Sequence, residues 1–101
     1  MKVVWTEQAL ERLQEIEDFI SQDSPIRAAR FVAKLLARGD SMTPFPAVGR
    51  QVPELGSTAI REVLEANYRI VYRLTPERIE ILTVFEGHRQ LPVDEITPKA
   101  P

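Results

Sequence analysis

The chain has 101 residues, a formal net charge of −2, and is 44% hydrophobic and 28% charged; this leaves room for one globular domain and excludes a disordered or collagen-like chain. The absence of cysteine and a single histidine, His88, exclude disulfides, thiolate nucleophiles and multi-histidine metal sites, and the acidic balance excludes a strongly basic nucleic-acid footprint over the whole surface. No apolar run approaches the ~20 residues of a membrane span and no long apolar stretch follows Met1, so a cytoplasmic protein is expected, with no membrane, metal or cofactor.

Lys2 to Trp5 predicts a short strand, ended by Thr6, whose hydroxyl suits a helix N-cap. From there Ala9, Leu10, Leu13, Ile16 and Ile20 recur at three- and four-residue steps, placing one apolar stripe on a helix from Glu7 to Gln22. Asp23-Ser24-Pro25 breaks it. Ser24 as N-cap and Pro25 at the first helical position open a second helix, with Ala28, Phe31, Val32, Leu35 and Leu36 on one stripe. It ends at Gly39 as a C-cap, or runs past it, since Met42 falls at helical spacing from Leu35. The two helices are expected to form a hairpin of unequal charge. The first carries Glu7, Glu11, Glu15, Glu17 and Asp18 against Arg12; the second carries Arg27, Arg30, Lys34 and Arg38 with no acid before Asp40.

The prolines of Thr43-Pro44-Phe45-Pro46 stop helix formation, and a linker of fixed shape follows through Val48-Gly49-Arg50. The period then changes from 3.6 to 2. Ile60 to Glu65, Tyr68 to Leu74 and Ile79 to Phe85 read as an antiparallel meander joined by Ala66-Asn67 and by Thr75 to Arg78. A two-residue first turn sets Leu64 opposite Arg69, Glu62 opposite Val71 and Ile60 opposite Arg73. A four-residue second loop sets Leu74 opposite Ile79, Tyr72 opposite Ile81, Ile70 opposite Thr83 and Tyr68 opposite Phe85. One face then shows Tyr68, Ile70, Tyr72, Leu74, Ile79, Ile81 and Phe85 beneath the hairpin; the other mixes Arg69, Arg73, Glu62, Glu80 and Glu86 with Val71, Leu82 and Val84. Gly87 is expected to take a positive φ at the strand exit, and Leu91 to Pro101 to form an extended tail.

The order of strand, helical hairpin, proline-rich link and meander, with Trp5-Thr6, Phe45-Pro46-Ala47-Val48-Gly49-Arg50, Arg61-Glu62, Tyr68-Arg69-Ile70-Val71-Tyr72-Arg73 and Ile79-Glu80-Ile81-Leu82, resembles the RelE/ParE toxins of bacterial type II toxin–antitoxin systems from about Val3 to Arg89. The resemblance implies one α+β domain: an N-terminal strand and two-helix hairpin packed on an antiparallel sheet, with a core over residues 2–89. It also implies a cognate antitoxin whose acidic, amphipathic C-terminal segment wraps the toxin, and contact with operator DNA only through that antitoxin. Two mechanisms divide the family. One branch cleaves messenger RNA on the ribosome, and the other poisons DNA gyrase without catalysis.

Cleavage through a 2′-hydroxyl needs a general base, a general acid and cations for the developing phosphorane charge. For that chemistry the resemblance puts forward Arg61, Arg69 and Arg73 as phosphate clamps, Glu54 or Glu62 as base and His88 as acid. Three features oppose it. Arg73 faces Glu80 in the expected register; six arginines and six glutamates balance between Arg50 and Arg89; and Glu86 precedes Gly87 where many relatives place a histidine, with His88 just after. The expectation is therefore the gyrase-poisoning branch, with Arg50, Arg69, Arg73 and Arg89 as target-binding residues. A third possibility is a toxin-like fold without toxicity. The antitoxin is expected along Leu10, Leu13, Phe31 and Leu35, with Arg27, Arg30, Lys34 and Arg38 receiving its acids.

Overall fold

The Thr6 hydroxyl accepts the Ala9 amide and donates to Ile81 O at 2.8 Å, so one side chain both starts the first helix and fixes it to the sheet. The computed structural model describes residues 1–96. In chain order the elements are β1 (Lys2–Trp5), α1 (Glu7–Ser21), α2 (Pro25–Asp40), β2 (Arg50–Gln51), β3 (Ile60–Glu65), β4 (Tyr68–Leu74), β5 (Arg78–Glu86) and α3 (Val93–Ile96). The fold is α+β. Its five strands lie in the order β1-β5-β4-β3-β2, with β1 parallel to β5 and every other pair antiparallel. No helix among the described residues is long and apolar enough to cross a membrane.

Ser24 caps α2 by accepting the Arg27 amide, and Pro25 occupies the first turn, where no amide partner is lost. The helix runs past Gly39 to Asp40, and Met42 beyond it is fully buried. Gly39 is there for packing: a Cβ on it would lie 2.4 Å from Trp5 Cζ2 and 2.8 Å from Ile81 Cδ1. The hairpin rests on Ala9, Leu13, Ile16 and Leu35 against Val63, Ile70, Tyr72, Ile79, Ile81 and Val84. Burial of each leucine, isoleucine or valine side chain among these contributes roughly 1.5–3 kcal/mol. No ion pair joins α1 to α2 among the described residues, so apolar packing and not the charge difference holds the hairpin.

The β3–β4 register is as expected, with Leu64 opposite Arg69 and Ile60 opposite Arg73. The β4–β5 register is as expected only from Leu74↔Ile79 to Tyr72↔Ile81. Leu82 then inserts as a β-bulge, so that Val71 pairs with Thr83, Ile70 with Val84 and Tyr68 with Glu86. The extra residue reverses the faces beyond it. Val84 joins the helical core, and Phe85 moves to a second cluster with Val52, Ile60, Val71 and Leu82.

That second cluster corrects the expected extended tail. Leu91 and Ile96 are buried in it, and α3 carries the chain back across the sheet; Pro98 to Pro101 lie outside the described residues. Gly87 does not take the expected positive φ; it is small because a Cβ would stand 3.3 Å from Asn67 O, the acceptor of its own amide at 2.7 Å. Positive φ values fall instead on Ala66, at 54° in the β3–β4 turn, and on Gly56, at 65° in the loop before β3.

Candidate target and partner surfaces

On the second sheet face, β4 sets Arg69 opposite Phe85, and its guanidinium carbon lies 5.0 Å from the ring centroid. Arg69 Nε donates to Glu62 Oε1 at 2.6 Å, while Nη1 and Nη2 donate to the two oxygens of Glu54 at 3.0 and 2.9 Å. Arg50 reaches the other oxygen of Glu62 through Nε and Nη2, both at 2.7 Å. Two arginines and two glutamates thus form a continuous chain from Arg50 through Glu62 and Arg69 to Glu54. The Glu62 side chain is fully buried within it, and the Arg69 side chain is 8% exposed.

The electrostatics follow from these bonds. The Glu54 carboxylate, followed by Glu62, raises the pKa of Arg69, and Arg69 in turn holds Glu54 below the ordinary carboxylate range. A guanidinium closed by two carboxylates has little charge left for a phosphate, and a carboxylate with a lowered pKa is a weak base at neutral pH. Arg73 lies beside Glu80 at 3.7 Å, and Glu80 also accepts Arg78 Nε at 2.8 Å. Arg61 falls on the other face of β3 and donates to Gly49 O at 2.9 Å. His88 is an exposed side chain whose Nε2 lies 3.3 Å from Glu86 Oε2. The residues put forward for RNA cleavage therefore do not converge on one point, and Arg69, Glu62 and Glu54 are bound to one another. No group of three or more potential metal ligands occurs among the described residues.

Of the target-binding set, Arg50 and Arg89 are exposed, whereas Arg69 is buried and Arg73 half-buried. Arg89 lines a cavity of about 620 Å³ between α1 and the segment after β5, together with Arg12, Glu15, Phe19, Glu86 and Glu95. Its floor is fixed by Glu95, whose carboxylate accepts Arg12 Nε and Nη2 and the Thr83 hydroxyl at 2.7 Å. These bonds raise the pKa of Arg12, with Glu95 the larger cause and Glu15 next.

The helical hairpin separates the antitoxin candidates into three groups. Leu13 and Leu35 face the sheet, 4% and 0% exposed, and cannot meet a partner; Leu10 at the stripe's margin is half exposed. Arg38 turns away to Leu64 O and Ser41 Oγ. Arg27, Arg30, Phe31 and Lys34 come together along a groove of about 480 Å³, closed by Phe19, Ile20 and Tyr68. The Phe31 and Tyr68 rings sit 5.2 Å apart at 57°. Burial raises the pKa of the Tyr68 hydroxyl, and Glu86 adds to it.

Sequence reasoning passes over Phe19 and takes Tyr68 as core. An aromatic that falls off the Ala9-Leu13-Ile16-Ile20 stripe is the available signal for Phe19, which is 69% exposed. Nothing local points to Arg12 with Glu95, 83 positions apart.

The family model for the ParE toxin of the type II toxin–antitoxin system parDE matches residues 3–91. The chain is 38% identical over 91 residues to Y4kP of Sinorhizobium fredii, spanning 90% of this chain and 93% of that protein. It is 34% identical over 89 residues to toxin RelE2 of Caulobacter vibrioides, spanning 87% and 97%. A solved structure of the chromosomal ParDE toxin–antitoxin system from P. aeruginosa superposes with a TM-score of 0.70 at 19% identity, covering 85% of this chain and 95% of that one, a likeness of fold.

Proposed function

Since the chain belongs to the ParE toxin family of type II toxin–antitoxin systems, we propose that it arrests growth in the cytoplasm by binding and poisoning DNA gyrase without catalysis of its own. The observation that carries this reading is the Arg50–Glu62–Arg69–Glu54 chain, in which both partners of Arg69 are carboxylates. It commits Arg69, one of the arginines put forward as phosphate clamps, to carboxylates, and His88 pairs instead with Glu86 among the described residues. Poisoning by contact requires neither an acid–base pair nor an uncommitted arginine cluster. The exposed Arg50 and Arg89 are the target-binding residues this reading keeps.

The same reading gives the chain an antitoxin, which reaches operator DNA on behalf of the complex. The groove formed by Arg27, Arg30, Phe31 and Lys34 suits an acidic segment bearing apolar anchors. The test is plasmid supercoiling by gyrase in the presence of the purified, folded chain. Inhibition at near-stoichiometric amounts with trapped cleaved DNA supports poisoning. No effect on gyrase, with ribosome-dependent cleavage of messenger RNA that His88→Ala abolishes, moves the chain to the RNA-cleaving branch. Inertness in both assays together with antitoxin binding marks a toxin-like partner without toxicity.

A further inference from the structure

The groove beneath α2 and the cavity beside α1 meet at Phe19, Tyr68 and Glu86, which line both. Their charges differ in sign. Under α2, Arg27, Arg30 and Lys34 face the single carboxylate of Glu86, and none of the three cations has an ion-pair partner among the described residues. Beside α1, the carboxylates of Glu15, Glu86 and Glu95 outnumber Arg12 and Arg89, and Arg12 is already bonded to both Glu15 and Glu95. At the junction stands Phe19, 69% exposed, an aromatic ring that fills no part of either core cluster.

Length argues for a single occupant. The α1 wall from Arg12 to Phe19 and the α2 wall from Arg27 to Lys34 each cover two helical turns, about 10 Å apiece at ~1.5 Å per residue. An extended peptide fills one such arm with only about three residues, at ~3.3 Å each. Both arms together hold at least six extended residues, enough for an apolar anchor with charged residues on either side.

Resting on the reading of this chain as a toxin held by an antitoxin, we infer that the two cavities are one channel for a single partner segment that turns about Phe19, with acidic residues over α2 and a lysine or arginine over the Glu15 end. The order of charges, and not acidity alone, then selects the partner. A segment acidic along its whole length meets Glu15, Glu86 and Glu95 at the far arm, and like charges so placed disfavour it.

Selection of displayed random peptides of about 20 residues on the full chain tests this. The expected binders carry acids in one half, a basic residue in the other and an aromatic or aliphatic residue between. Arg30→Glu with Lys34→Glu weakens them by about tenfold or more, and Phe19→Ala does likewise; all three side chains are on the outside of the fold, so folding is retained. Glu15→Lys reverses the preference at its own arm, favouring peptides whose basic residue is exchanged for an acid. Binders indifferent to all these substitutions, or a selection in which charge is not segregated, overturn the channel. Two further outcomes separate this inference from the reading beneath it. An antitoxin that neutralises the chain but associates equally well with the Arg30→Glu, Lys34→Glu and Phe19→Ala variants overturns the channel alone; failure of any antitoxin to bind overturns the reading itself and the channel with it.

Discussion

Replacement of Arg69 by methionine removes the guanidinium that links Glu62 to Glu54 and stacks on Phe85. Deleting one member of a buried ion pair costs about 3–5 kcal/mol, because the other charge stays buried. Here Arg50 keeps its two bonds to Glu62, and the Glu54 side chain is 44% exposed and returns to water. Those two facts reduce the penalty to about 2–3 kcal/mol on the same scale. Loss of the cation–π contact adds about 0.5–1 kcal/mol. The expected destabilisation is therefore about 3 kcal/mol, a large part of the ~5–15 kcal/mol that holds a domain of this size together. At ~4–8 °C per kcal/mol this lowers Tm by about 12–24 °C.

Urea unfolding followed by the fluorescence of Trp5, the lone tryptophan, reads the loss. Adding Glu62→Gln to Arg69→Met removes the stranded charge, so the double variant should lose at least about 1 kcal/mol less than the two single losses summed. A loss below about 1 kcal/mol, or strictly additive effects, would refute the reasoning. The same variant separates structure from function. Arg69→Met that is as stable as the parent but inactive against its target would make Arg69 a contact residue and the ion-pair chain incidental.

Gly39→Ala pushes a methyl into Trp5 and Ile81 and should destabilise by about 1–3 kcal/mol in the same unfolding assay, whereas relief by a simple shift of the Trp5 ring would leave the midpoint unmoved. Ala66→Gly should stabilise by about 0.5 kcal/mol, since the ~1–2 kcal/mol strain of a side chain at φ 54° outweighs the backbone entropy glycine brings; a lower midpoint would contradict this. Glu54, held below the ordinary range by Arg69, stabilises the fold fully above about pH 4.3 and loses that contribution as pH falls toward its lower folded value, because the unfolded chain takes up the proton first. Tm should accordingly fall less steeply between pH 5 and pH 3 in Glu54→Gln than in the parent, and equal slopes would argue against the effect. Glu95→Ala leaves Arg12 and the Thr83 hydroxyl without their shared acceptor and should loosen α3, seen as faster amide exchange at Ile96; unchanged exchange would show that apolar burial alone holds it.

Much of the α+β fold is written in local spacing. The Thr6 and Ser24 caps, Pro25, the apolar stripes and the period-two runs depend on neighbours within a few residues, so both long helices, β1 and the meander are legible directly. The family is legible for a related reason: the order of these elements and the short motifs within them survive in the linear chain, and the match over residues 3–91 agrees. Helical spacing places Arg27, Arg30, Lys34 and Arg38 together on α2, but it does not show that Arg38 turns to Leu64 O and Ser41 Oγ while Phe31 joins the other three along one groove.

What escapes such reading depends on contacts between distant segments. The bulge at Leu82 has no local signature, yet one extra residue exchanges Val84 and Phe85 between faces, because strand side chains alternate with period two. The residues after Leu91 lack helical periodicity and form α3 only because the second sheet face offers them Val71 and Phe85, and because Arg12 and Thr83 meet Glu95. Arg69 shows the limit at a candidate site. Its charge and its strand position are visible in the chain, but whether it faces a phosphate or its own glutamates rests on where the β2–β3 loop brings Glu54. An arginine's availability is a property of what surrounds it, and those surroundings exist only once segments far apart in sequence have packed.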